Sequence, residues 1–427
     1  MTTSEPLQVP PSVTHVLVGY SSALLPVLDR LLPAGSVLVL EEPDLIAARG
    51  IEAAAAKQPC VAALLPAPIQ DEQHPGRTIV RIARPRALRA VLPGVEYAVV
   101  TAAALADVWC RPGANLPAAR RLRDKGLLRA AVIGAGIDQP EWEMVTGPED
   151  VERFRARHGG RCVLKPANRQ ASVGVQLLES DTDVDVAWRH TAEADEPGLR
   201  RPYAGTSRYL VEQVLSGPEV SVEALVDNGA VRFLNVTGKR VQRSRYPVET
   251  GHVVPAPLPA SVRTALQTAT ARLVSATGFG TGVLHAEWIL QDSRPYLVEC
   301  AARLPGDNIR ELIDLAYGGN LLRDLLHLLE GKGVARSGDP TAAAAVRFLT
   351  AGTGTVTAVD GAENARRCPG VEKAMLHVGV GDTVVGTTNS WQRLGFVIAR
   401  GRDAEDATSR VEAATTRITI STAERHL

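Results

Sequence analysis

The stretch Gly282-Val-Leu-His-Ala-Glu-Trp-Ile-Leu290 alternates with the period of a strand, which separates its two faces. Leu284, Ala286, Trp288 and Leu290 fall on one side, fit for a core, and His285 and Glu287 on the other. Twelve residues beyond Glu287 lies Glu299, in Tyr296-Leu-Val-Glu-Cys300, and the intervening Gln291-Asp-Ser-Arg-Pro295 reads as a hairpin turn. The two carboxylates are therefore expected on neighbouring strands. Side by side they would repel or protonate, whereas Mg²⁺ with its oxygen ligands satisfies both and keeps positions for phosphate oxygens. The alternative is a pair of solvated carboxylates on an exposed sheet face. Arg303 and the turn at Gly306-Asp307 follow the second strand, where a cation can act on a transferring phosphoryl group. Lysine is scarce, confined to Lys57, Lys125, Lys165, Lys239, Lys332 and Lys373. Each is a compact charge suited to phosphate, or else an ordinary solvated side chain.

The chain that must position these groups has 427 residues, enough for two to four domains. Charge balances at 47 Lys+Arg against 47 Asp+Glu, without the basic excess that nucleic-acid binding requires. No apolar run approaches the ~18–20 residues that span a bilayer, which excludes membrane insertion. Residues 1–11 read as a frayed polar tail with no secretory signal, and the expected compartment is the cytoplasm. The five dispersed cysteines indicate neither disulfide nor zinc, and Cys300, opposite in direction to Glu299, is expected to pack. The five tryptophans read as core or rim residues, and the Arg-rich Arg111–Arg129 segment as a solvated helix face.

An open α/β domain is expected over 12–120. Its strands are placed at His15–Tyr20, Ser36–Leu40, Arg77–Ile82 and Tyr97–Thr101, and its helices at Ser21–Leu32 and Pro43–Lys57. A strand-dominated α+β core occupies 121–335, closing with a helix over Ile309–Leu329. A β-rich segment at 336–427 has strands at Val356–Val359, Ala374–Val378 and Leu394–Ala399 and a helix at Ala404–Thr416.

Lys165-Pro, Glu212 with Gly217-Pro-Glu219-Val-Ser-Val-Glu223, and His285-Ala-Glu287 followed by Glu299-Cys-Ala-Ala-Arg303 resemble the ordered motifs of the ATP-grasp ligases. Val248-Glu-Thr-Gly-His252 and Glu299-Cys-Ala-Ala-Arg-Leu-Pro-Gly306 are most similar to the L-amino acid ligases, dipeptide synthetases of the bacilysin-pathway type. The resemblance covers most of the chain and implies an ATP-grasp fold behind an N-terminal open α/β (pre-ATP-grasp) domain, with a mobile ATP lid at about 160–215. It implies ATP and Mg²⁺ as cofactors, two ions with Mn²⁺ as a substitute, and an ADP-forming amide synthesis between a small carboxylate donor and an amine acceptor. A homodimer is common in such families.

Carried over by resemblance, Lys125 and Lys165 resemble the two lysines that neutralise ATP phosphates, Lys239 falls on a further motif position and is expected to be catalytic beside those phosphates, and Ser172 and Gly174 lie in the covering loop. Glu212 resembles the hinge residue at the adenine, Leu215 its neighbour, and Glu219 the ribose-hydroxyl acceptor. Glu287 and Glu299 resemble the metal ligands, and Arg303 the residue holding the acyl-phosphate. Glu249 and His252 resemble contacts to substrate amino groups, near Gly306. The chain departs from the pattern at Ala301, where many ATP-grasp enzymes have asparagine, and in a loop with the single glycine Gly174. Asp307 stands where the dipeptide synthetases have a bulky aromatic, which opens the pocket to a cationic or polar substrate. Alternatives within the fold are a carboxylation, a purine-pathway ligation, and a nucleotide sensor with a degraded site. Arginine- and alanine-rich usage hints at a GC-rich genome and specialised metabolism.

Overall fold

The computed structural model describes residues 6–196, 198–199, 208–242, 244–334, 336 and 338–423. The first five residues of the expected tail, and 197 and 200–207 of the expected lid, lie outside them. Within the rest of the tail, Leu7 bridges Ile82 in parallel, so this part is tied down.

The N-terminal sheet has four parallel strands in the order Val61–Pro66, Val37–Glu41, His15–Val18, Ala90–Pro93. Two expected strands are helical instead. Gly76–Ile79 is a short helix entered through Pro75, and Val99–Val108 is a helix buried along Val99–Ala106. A continuous apolar run does not distinguish a buried strand from a buried helix, and here its length and alanine content favour the helix. The helix expected over Pro43–Lys57 breaks at Gly50, whose φ is +58°. The one expected over Ile309–Leu329 breaks at Gly318 and Gly319, after which the Asn320 side chain caps Leu321–Leu329.

Residues 142–212 build a second, antiparallel sheet, ordered Trp142–Val145, Tyr209–Glu212, Cys162–Pro166, Gln176–Leu178. Its core joins Val151 and Phe154 of one helix to Ala187 of another across Leu164 and Val211. This subdomain starts well before residue 160.

The largest sheet has eight antiparallel strands, ordered Arg294–Ala301, Gly282–Gln291, Glu219–Asp227, Ala230–Val241, Glu249–Val254, Ala343–Leu349, Gly395–Gly401, Val371–Leu376. The expected boundary at 336 thus falls inside one sheet, because Gly251–Val254 pairs with Ala344–Arg347. The helix Ala404–Thr415 covers its C-terminal end through Ala407, Val411 and Ala414. Among the described residues no helix is long and apolar enough to cross a membrane.

The Arg111–Arg129 segment is not simply solvated. Its helices Leu116–Arg123 and Lys125–Ala131 turn Arg123 and Arg129 inward, to 5% and 0% exposure, where carboxylates and carbonyls receive them.

Candidate functional site

A cavity of ≈ 450 Å³ lies between the lid sheet and the eight-stranded sheet. Its floor is the face opposite Trp288. Leu284, Ala286, Trp288 and Leu290 are all buried, and the two-residue turn at Asp292 and Ser293 has φ of 51° and 64°, as a tight hairpin requires. The pairing that starts at this turn runs to Trp288 opposite Leu297, and a β-bulge between Glu287 and Trp288 then sets Glu287 directly opposite Glu299. Cys300 points the other way, into the core, and burial raises its thiol pKa.

Neighbouring strands add to the same face. Lys239 Nζ lies 2.9 Å from Glu219, 3.3 Å from Glu249 and 2.5 Å from Glu287, and these three carboxylates offer oxygens within 4.8 Å of one another. Burial opposes the charge on Lys239, but the three carboxylates outweigh it and raise its pKa. Burial, with Glu287 and Glu249 nearby, raises Glu219 to about 7 against the pull of Lys239. Glu287 is held low despite burial, by Lys239 and His285. His285 bridges Glu287, at 3.2 Å, to the buried Glu223, at 3.0 Å. Burial disfavours the imidazolium, yet these two hydrogen bonds raise its pKa to about 9. Glu299 pairs with Lys125 at 2.7 Å.

An oxygen-rich donor set of this kind fits Mg²⁺. Glu287 and Glu299 are the cross-strand pair, and Glu219 and Glu249 converge on Glu287. Lys239 and Lys125 supply the counter-charge in this arrangement.

At the other end, Lys165 Nζ meets Glu212 at 2.6 Å, and the fully buried Arg129 grips the same carboxylate at 2.7 and 2.9 Å. Arg129 also donates to the Leu297 and Val298 carbonyls, joining the lid hinge to the Glu299 strand. Burial lowers the Lys165 pKa, with Arg129 and Lys125 adding to it and Glu212 opposing. Leu215 lines the cavity beside Glu212, as does Ser172, whose hydroxyl donates to the Pro247 carbonyl at 3.2 Å. Gly174 is not on the cavity wall. Its φ is +74°, a Cβ would lie 3.1 Å from Pro166, and its carbonyl accepts from Thr191, so its place is structural.

At the substrate end, Arg303 donates to Glu96 at 2.5 Å and to Gln170 at 3.2 Å. Burial alone would raise Glu96, but Arg303 and Arg123 bring its pKa down to about 2. Gly306 and Asp307 line the cavity. Asp307 is paired with Arg393 and lies 3.3 Å from His252, which is itself buried and off the cavity wall. Sequence reasoning missed Glu96, Arg129, Gln170 and the C-terminal residues Ser390, Trp391 and Arg393. Their partners are remote in sequence, so no local pattern announces their roles.

Residues 159–311 match the family model of the ATP-grasp domain, and residues 347–423 that of the L-amino acid ligase C-terminal domain 2. An uncharacterised protein of Sinorhizobium fredii, y4rH, is 27% identical over 316 residues, which cover 72% of this chain and 64% of that protein. The alanine–anticapsin ligase of Bacillus subtilis (strain 168) is 25% identical over 275 residues, 60% of this chain and 57% of that protein. The chain thus spans less than two thirds of the length of either curated relative. The crystal structure of an L-amino acid ligase from Bacillus licheniformis has the same fold. It superposes with a TM-score of 0.75 at 19% identity, over 96% of this chain and 99% of that one.

Proposed function

We propose that the chain, whose residues 159–311 match the ATP-grasp domain, is an ATP-grasp carboxylate–amine ligase joining two small molecules, amino acids foremost, with release of ADP and phosphate. The observation carrying this reading is the Glu287–Glu299 pair, facing one cavity with Lys125, Lys165, Lys239 and Arg303. ATP-grasp enzymes use ATP with Mg²⁺, and Glu287 and Glu299 would hold the ion, whose chemistry there is to neutralise charge on phosphate oxygens.

The residues then divide the work. Lys165, fixed by Glu212, and Lys125, fixed by Glu299, give the nucleotide phosphates two positioned cations. A donor carboxylate oxygen attacks the γ-phosphorus as the bond to the β-phosphate oxygen breaks, giving an acyl-phosphate and ADP. The acceptor amine attacks the acyl carbon, phosphate leaves, and the amine loses a proton to solvent or phosphate. Arg303, held by Glu96 and Gln170, is placed to stabilise the oxyanion formed in that attack. Gln170 belongs to the loop of the lid sheet, so seating of this loop would orient Arg303 and exclude water from the labile intermediate together.

The test is phosphate release with Mg²⁺ and ATP across a matrix of amino-acid pairs, with mass spectrometry of the products. A product one water lighter than a specific pair supports the reading, and Glu299→Gln should lower its rate by at least ~100-fold. Near-normal ADP formation by that variant would remove Glu299 from the metal site.

A further inference from the structure

The position after Gly306 carries a carboxylate, Asp307, that taken alone invites a cationic substrate group. In the folded chain its charge is already spent. Arg393, from the C-terminal segment, meets both Asp307 oxygens, Nη1 at 2.9 Å from Oδ2 and Nη2 on Oδ1. The rest of the guanidinium is engaged as well: Nε donates to the Ser390 carbonyl at 2.9 Å, Nη1 reaches the Glu249 carbonyl at 3.4 Å, and the Phe348 ring lies 3.7 Å beneath it. Ser390 anchors the loop, donating to Glu249 through its hydroxyl at 3.1 Å and to the Ala171 carbonyl through its amide at 3.0 Å. Beside this closed pair Trp391, 55% exposed, and Ile309 turn toward the same cavity.

We propose that Arg393 sets the charge selectivity of the substrate end, by closing an ion pair with Asp307 so that the side chain accepted there is uncharged. The inference rests on the ligase reading for its substrates. A cationic side chain would have to displace Arg393 from a bidentate pair, and an acidic one would have to displace Asp307. A neutral side chain meets Trp391 and Ile309 and breaks nothing. Selection here therefore works chiefly by exclusion, and the residue responsible comes from a segment outside the ATP-grasp domain match.

Charge substitutions on the full chain test this. The ratios of kcat/KM for lysine, leucine and glutamate are compared at saturating ATP and partner amino acid, and binding of the same three is measured by calorimetry with MgADP present. Wild type should favour leucine. Arg393→Met leaves Asp307 unneutralised and should raise the lysine-to-leucine ratio at least tenfold, whereas Asp307→Asn leaves Arg393 unneutralised and should raise the glutamate-to-leucine ratio similarly. The double variant removes both charges, strands neither, and should return to leucine. Wild-type preference for lysine or glutamate would overturn the proposal, as would rankings unmoved in the folded single variants. If neither single variant folds, the wild-type ranking decides. Absence of phosphate release for every pair, with the charge ranking intact in calorimetry, would instead sink the ligase reading and leave the charge selectivity standing.

Discussion

Glu212→Gln is the most informative single change, because it keeps the side-chain shape and removes one charge shared by two buried cations. Arg129 is 0% and Lys165 4% exposed, and both bond to Glu212, at 2.7 and 2.6 Å. Without the carboxylate, two cations face each other across a neutral amide. Losing one partner of a buried ion pair costs about 3–5 kcal/mol, a large part of a typical ~5–15 kcal/mol stability. Arginine does not release its proton at accessible pH, so the relief must come from Lys165, whose pKa burial already lowers. The sign then follows. A lysine with a depressed folded pKa binds fewer protons folded than unfolded, so the variant's stability should rise with pH by up to ~1.4 kcal/mol per unit until the unfolded lysine also titrates. Nucleotide affinity should move oppositely, falling as pH rises, because neutral Lys165 no longer attracts phosphate. Urea midpoints and ADP titrations from pH 6 to 9 measure both in wild type and variant. A variant within 1 kcal/mol of wild type, with ADP affinity falling no earlier in pH than in wild type, would refute the account of Lys165 as a cation maintained by Glu212.

Two further substitutions probe the frame around the site. Glu96 has a folded pKa of about 2 against an ordinary 4.5, so it contributes roughly 3 kcal/mol that is present above pH 4.5 and lost as pH falls through 2. Glu96→Gln should start less stable by about that amount and show a shallower acid transition than wild type. Because Glu96 orients Arg303, the same variant should lose kcat while KM for ATP holds, and a fall confined to stability would show that Arg303 is oriented without it. Gly217 has φ of +153°, and a Cβ there would lie 2.2 Å from the Leu290 carbonyl oxygen, which is backbone and unable to turn aside. Gly217→Ala should therefore destabilise by ~2 kcal/mol or more and weaken ADP binding through the adjoining segment from Glu212 to Glu219. An unchanged urea midpoint would mean that the two backbones separate freely.

Much of the fold was legible where a strand has one wet and one dry face. The alternation over Gly282–Leu290 and a short turn were enough to put Glu287 and Glu299 on neighbouring strands but not to align them, because regular pairing from Trp288 opposite Leu297 would set Val298 against Glu287, and it is the register shift between Glu287 and Trp288 that brings Glu299 there. Apolar runs without alternation were not legible. Val99–Ala106 is buried throughout and carries no periodic signal, so the sequence pattern reads Tyr97–Thr101 as a strand, whereas the strand beside His15–Val18 is Ala90–Pro93.

The site divides along the same physical line. Residues whose chemistry is announced by local pattern, Lys165, Glu212, Glu287, Glu299 and Arg303, do meet in one cavity. Those that determine how these groups behave are remote in sequence: Glu96 reaches Arg303 across 207 positions, Arg129 reaches Glu212 across 83, and Arg393 reaches Asp307 across 86. A local motif reports a side chain's type but not its counter-charge, and burial makes the counter-charge decisive for protonation and selectivity alike. Asp307 shows the consequence most directly. Read in sequence it is an anion waiting for a cation; folded, it has found one within its own chain, and the chemistry that it offers a substrate is reversed from attraction to exclusion.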